Sequence, residues 1–272
     1  MLTGPLEEKK TALIVVRTYP APSKKSVEAS CTAAITDKRE WLRLFPVPWR
    51  LLPQDQRFRK YQWVEITVTK PRDDSRPESH RLKPDSIRIL SGPLPTDGAW
   101  RARKEVVFPM LSHCLCCLQK ERDATGRPTL GIFKPKIIEK LTIKSESAEW
   151  ESGQLAALRQ GHLFEEGPPE QLEKIPFSFR YEFRCDHDEC TGHRIICVDW
   201  EMAELWRKCK DDYGDNGWES KFRQRYETEM IGKYDTHFYV GTVHLHPQTW
   251  IIVGLFYPPK TQPGLFNGTS GP

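Results

Sequence analysis

The chain has 272 residues, 38% hydrophobic and 29% charged, with a formal net charge of +4. An aromatic content of 11% that includes nine Trp excludes wholesale disorder, because such rings must be buried or bind something. The length leaves room for one large domain or two small ones, and so mild a basic balance permits nucleic-acid binding without demanding it.

No stretch approaches the run of about 20 apolar residues that a membrane helix needs, so no membrane partner is expected. Met1 to Lys10 carries charges and no apolar core, unlike a secretory signal. A cytoplasmic protein with eight reduced Cys is therefore expected. In that setting clustered Cys point to metal before disulfide.

In chain order, residues 11–95 read as a small β domain. Thr11 to Tyr19 is a β-branched run stopped by Pro20 and Pro22, and Cys31 to Thr36, Trp41 to Val47, Gln62 to Thr69 and Ser86 to Leu90 have similar signatures. Short strands separated by Pro, Asp and Ser clusters predict a small closed or sandwiched barrel. Residues 96–160 form a connecting region. Trp100, Val107, Leu111 and Leu115 recur at helical spacing with Pro109 as a break, and an extended run and a second helix follow. Residues 174–258 read as an α+β domain: strands over Pro176 to Phe183 and Arg194 to Trp200, helices over Glu201 to Asp212 and Trp218 to Ile231, then two closing strands. Residues 259–272 form a tail. The expected fold class is thus α+β, an N-terminal barrel followed by a C-terminal domain stapled by zinc.

The staple is read from Cys185-Asp-His187-Asp-Glu-Cys190-Thr-Gly-His193-Arg-Ile-Ile-Cys197. Zinc takes four thiolate or imidazole ligands in a tetrahedron, and a turn-rich hairpin tip presents such residues to one point. Cys185, Cys190 and His193 are the first three ligands. Cys197 is the expected fourth, with His187 as the alternative. A second cluster, His113-Cys114-Leu-Cys116-Cys117, lies in an apolar helix-like run and is read as core packing. Catalytic zinc keeps an open position beside a general acid or base, and no such carboxylate is evident, so the ion is expected to be structural.

Between Lys38 and Lys83 cations interleave with aromatic residues. Single strands are held by stacking bases on aromatic faces while Lys and Arg follow the phosphates, so Trp41, Arg43, Arg50, Arg59 and Trp63 are the candidate nucleic-acid contacts. The run from Cys31 through Trp41-Leu-Arg43-Leu44 resembles the pattern of dual OB-type domains in bacterial proteins, with Ala34 at a position where that pattern has Gly. Phe183-Arg-Cys185, Gly192-His193, Asp199-Trp200-Glu201 and Phe238-Tyr-Val-Gly241 are similar to segments of bacterial and plasmid-borne proteins. The resemblance implies nucleic-acid handling and names no reaction.

The tail resembles the bacterial sliding-clamp-binding motif through Gln262, Leu265 and Phe266, with Pro263 where that motif prefers Leu. Two apolar side chains on a Pro/Gly tether suit capture by a partner's pocket. No phosphate-binding Gly loop and no nucleophile elbow is present. The expectation is a DNA-binding protein of repair, replication or defence against mobile DNA, with a structural zinc and recruitment to the clamp. The alternatives are a metal-dependent nuclease using Asp199 and Glu201, and a protein–protein adaptor.

Overall fold

The structure, a computed structural model, describes residues 6–23, 27–161 and 172–260. The N-terminal strands are β1 (Glu7–Arg17), β2 (Ala21–Ser23), β3 (Val27–Thr36), β4 (Trp41–Val47), β5 (Trp63–Thr69), β6 (Ser79–Leu82) and β7 (Arg88–Ile89). Five of them close on themselves in the order β1-β3-β4-β6-β5 and back to β1, with β4 and β6 parallel and the other pairs antiparallel. This is the small OB-like barrel that the strand spacing predicts. In β5 the alternation is strict: Val64, Ile66 and Val68 point inward, while the intervening side chains stand outside, as the two-residue period of a strand requires.

Over residues 12–16 strand β1 is buried on both faces. Ala12 and Ile14 enter the barrel core. Leu13, Val15 and Val16 instead join Leu130, Ile132, Tyr239, Val253 and Phe256 in a second core outside the barrel. A continuous apolar run, rather than an alternating one, is what a strand between two cores needs.

The rest of the chain supplies α1 (Asp97–Val107), β8 (Leu111–Ser112), α2 (Leu115–Thr125), β9 (Leu130–Phe133), β10 (Ile137–Ser145), α3 (Ser152–Gly161), β11 (Phe177–Arg184), β12 (His193–Cys197), α4 (Trp200–Arg223), α5 (Met230–Gly232), β13 (His237–Val243) and β14 (His246–Phe256). Its strands form one sheet in the order β10-β11-β12-β14-β13-β9-β8. The two helices expected over 201–231 run on as one structure. Helix α4 continues through a kink at Gly214, where φ is 68°, into a π-helical turn over Gln224–Glu229. Trp218, Phe222, Tyr226 and Met230 are all buried on one side of it, the amphipathic face that their spacing predicts.

The sheet packs directly against the barrel. Gly254 of β14 permits this approach: a Cβ there would sit 2.9 Å from Val16 Cγ2 and 3.2 Å from Asp199 Oδ2. Oligonucleotides bind OB-folds chiefly on the second and third barrel strands. Here these are β3 and β4, and the C-terminal sheet contributes to their covering: Arg43 donates from Nη2 to the Thr129 carbonyl at 2.6 Å, and Trp41 meets Tyr239 edge-on. No helix among the described residues is long and apolar enough to cross a membrane.

Candidate metal centre and junction pocket

Strands β11 and β12 pair as a hairpin, Phe183 opposite His193 and Phe179 opposite Cys197. Its tip carries Cys185 and Cys190, and Gly192 at φ +101° supplies a left-handed turn that favours glycine just before His193. The backbone N–H of Cys185 donates to the Cys190 sulfur at 3.2 Å, and the His193 ring stacks on Phe183. From the opposite side, the first turn of α2 presents Cys116, whose sulfur lies 3.2 Å from His193 Nε2. The ligand atoms of Cys116, Cys185, Cys190 and His193 all lie within 4.8 Å of one another. Tetrahedral bonds of zinc length set donor atoms about 3.5–3.8 Å apart, so a small shift suffices for these four to share one ion.

Burial, with the neighbouring Cys185 and Cys190 sulfurs, pushes the Cys116 thiol up to about 12, and burial also raises Cys185. Burial pulls His193 down, which favours the neutral imidazole that a metal binds. Three crowded sulfurs ionise together only beside a positive charge, and metal binding couples to that deprotonation. The cluster can hold a metal.

Cys185, Cys190 and His193 are therefore brought together as expected, but the fourth member is Cys116. Cys197 lies four residues beyond His193 on the same strand, about 13 Å along it at 3.3 Å per residue, and is buried in the core. His187 turns aside and accepts from the Glu189 N–H through Nδ1. The His113–Cys117 segment, read as core packing, divides. Cys114 is core and is disulfide-paired with Cys117, one turn away, contrary to the expected reduced state. Cys116 between them faces the hairpin. The signal in the sequence was the second Cys cluster itself, but helical phase alone does not say which of its sulfurs faces a distant hairpin.

The five expected nucleic-acid contacts do not form one groove. Arg43 is 2% exposed and holds the Thr129 carbonyl, so its role is structural. Trp41 and Trp63 are half-buried against the barrel–sheet core. Arg59 is exposed. Arg50 alone of the five lines a cavity of about 540 Å³ at the junction of the barrel and helix α4, together with Arg17, Trp49, Arg57, Trp200, Glu204 and Arg207. There the Arg17 guanidinium sits in the corner between two indoles, 3.7 Å from the Trp49 ring and 4.0 Å from the Trp200 ring. Burial pulls Arg17 down to about 10, against the pull of Glu201, Asp199 and Glu204, which leaves it charged at neutral pH.

Asp199 and Glu201 are committed elsewhere. Lys60 of the barrel lies 3.0 Å from Glu201 Oε2 and 3.5 Å from Asp199 Oδ2. Asp199 also caps α4 through the Glu201 N–H at 2.7 Å and accepts from the Leu255 N–H at 3.0 Å. Burial alone would lower Lys60, but the two carboxylates outweigh it and hold the ammonium well above the ordinary lysine range. Gln262, Leu265 and Phe266 lie outside the described residues.

Comparison with known proteins divides the chain in the same region where the barrel gives way to the second sheet. Residues 8–109 match the model described as Domain of unknown function (DUF8758), and residues 111–270 match Domain of unknown function (DUF8757). No curated protein matches the sequence. All four members of the Cys/His cluster lie within the second match, whereas the junction pocket draws residues from both. The chain belongs to the DUF8757 family, with a DUF8758 domain preceding that part.

Proposed function

We propose that the protein binds nucleic acid, DNA in the first instance, in the junction pocket, and that zinc is the ion of the Cys/His cluster. The observation that carries the binding reading is Arg17. Its guanidinium is packed on two indoles and has no hydrogen-bond or ion-pair partner among the described residues. A cation held rigid on aromatic faces, with its N–H edge unclaimed, suits a phosphate, and indoles beside it suit a base. Three thiolates and an imidazole in a closed set favour zinc over harder ions, and four protein ligands leave no open position, which supports a structural role. The ion would fasten α2 to the hairpin.

The test is a titration with a short single-stranded oligonucleotide, read by quenching of tryptophan fluorescence. Arg17→Gln and Arg57→Gln weaken binding, whereas Arg59→Gln, outside the pocket, does not. Equal affinity in all three variants, or no quenching at low salt, contradicts the reading. Elemental analysis finding one zinc per chain supports the metal assignment. A nuclease using Asp199 and Glu201 is disfavoured because Lys60 and two backbone N–H groups already engage them. The intracellular location and clamp recruitment through Gln262, Leu265 and Phe266 belong to the same proposal, tested by pull-down with a purified bacterial clamp.

A further inference from the structure

The charges around the junction pocket are unevenly matched. Arg50 lies 3.3 Å from Glu28, and Arg207 lies 2.9 Å from Glu173 and 3.5 Å from Glu204. Arg17 and Arg57 have no carboxylate within ion-pair distance among the described residues. Arg57 is nonetheless fixed, donating from Nε to the Leu52 carbonyl at 2.7 Å and from Nη2 to the Arg50 carbonyl at 2.8 Å. Two guanidinium groups, one locked by indoles and one by carbonyls, thus line one cavity without carboxylate partners.

Two cations without a direct carboxylate contact match a dianion better than a monoanion, although Glu204 lines the same cavity and, with Glu201 and Asp199, attracts Arg17. A phosphomonoester carries about −1.5 to −2 at neutral pH, whereas each internal diester of a strand carries a single charge. Planar guanidinium groups also bind phosphate oxygens in bidentate fashion. The cavity's 540 Å³ is of a size that takes a small ligand of roughly 300–1,000 Å³ sites, with room for one nucleotide and not for a stacked duplex. We infer that the junction pocket recognises the phosphomonoester of a nucleotide, at a strand end or free, with Arg17 and Arg57 on the phosphate. The inference rests on the junction-pocket reading and specifies its ligand.

One sequence is titrated as a single strand with a 5′-phosphate, a 3′-phosphate or hydroxyl ends only, and a nucleoside monophosphate is titrated in parallel. One phosphorylated end is expected to bind roughly tenfold tighter than the hydroxyl strand, equivalent to about 1.4 kcal/mol. Arg57→Gln, at an exposed position, is expected to erase that preference, as is Arg17→Gln. Competition by the monophosphate identifies the free nucleotide as a second source of the same group. Strands that bind irrespective of their ends, with no response to the monophosphate, overturn this inference and leave nucleic-acid binding standing. If no strand binds but the monophosphate does, and Arg57→Gln abolishes it, the nucleic-acid reading fails while the pocket assignment holds. A preference that survives in both variants overturns the assignment to this pocket.

Discussion

Replacing Cys116 with Ser separates a metal centre that joins two distant segments from one confined to a hairpin. Cys185, Cys190 and His193 are near neighbours in the chain, so a metal held by them alone closes only short loops. Cys116 closes a loop of about 70 residues, and the chain-entropy relation for cross-links puts that constraint at about 4 kcal/mol. This is a large share of the 5–15 kcal/mol that separates folded from unfolded states in ordinary domains. Loss of a direct ligand should also lower metal affinity by more than the roughly 10–100-fold cost of losing an outer-sphere partner. Urea unfolding of zinc-loaded wild type and Cys116→Ser should therefore differ by about 4 kcal/mol, and the difference should collapse when both are stripped with chelator. Cys197→Ser serves as the control. It disturbs core packing but should retain one zinc per chain. If Cys116→Ser keeps its zinc and its unfolding midpoint while Cys197→Ser loses the metal, the ligand set is wrong.

Three other substitutions probe the junction. Lys60→Met should cost about 3–5 kcal/mol, because it strands the buried Asp199 carboxylate; Glu201, at 42% exposed, adds little after solvent screening. Since the folded protein holds Lys60 above the ordinary lysine range, its contribution is complete below about pH 10 and is lost as pH rises through the folded-state value. Denaturation at pH 8 and pH 11 should show wild type losing more stability than Lys60→Met across that interval. Gly254→Ala brings a Cβ to 2.9 Å from Val16 and should cost about 1–3 kcal/mol by overpacking, visible as a lower thermal midpoint. Arg43→Met should destabilise by removing the guanidinium's bonds to the Thr129 carbonyl and hydroxyl, although that carbonyl still accepts from the Thr242 N–H, yet leave oligonucleotide affinity of the folded fraction unchanged.

The barrel was legible because its strands obey local rules. Val64, Ile66 and Val68 alternate, and β1 is apolar over residues 12–16, where two cores flank it. The buried face of Trp218, Phe222, Tyr226 and Met230 was legible for the same reason, a fixed helical period. What the sequence concealed depends on contacts between segments far apart in the chain. Alternating Trp41 and Arg43 look like a solvent-facing stripe, and only the docking of β9 and β13 onto the barrel encloses them. Three hairpin members of the Cys/His cluster were readable from spacing within one turn, but the fourth comes from α2, roughly 70 residues earlier, and no local pattern links the two. The Arg17 pocket was hidden likewise, since Trp49 and Trp200 meet only when the barrel and helix α4 pack together.

The most direct measurement of nucleic-acid binding in the junction pocket is the salt dependence of single-strand affinity for wild type and Arg57→Gln. Each phosphate contact releases counterions, so the logarithm of the binding constant should fall linearly with the logarithm of salt concentration, and removing one contact should flatten that slope by roughly 0.7. A steep wild-type line with a shallower one for Arg57→Gln is the expected result. Parallel lines, or binding indifferent to salt, would contradict the assignment of phosphate recognition to this pocket.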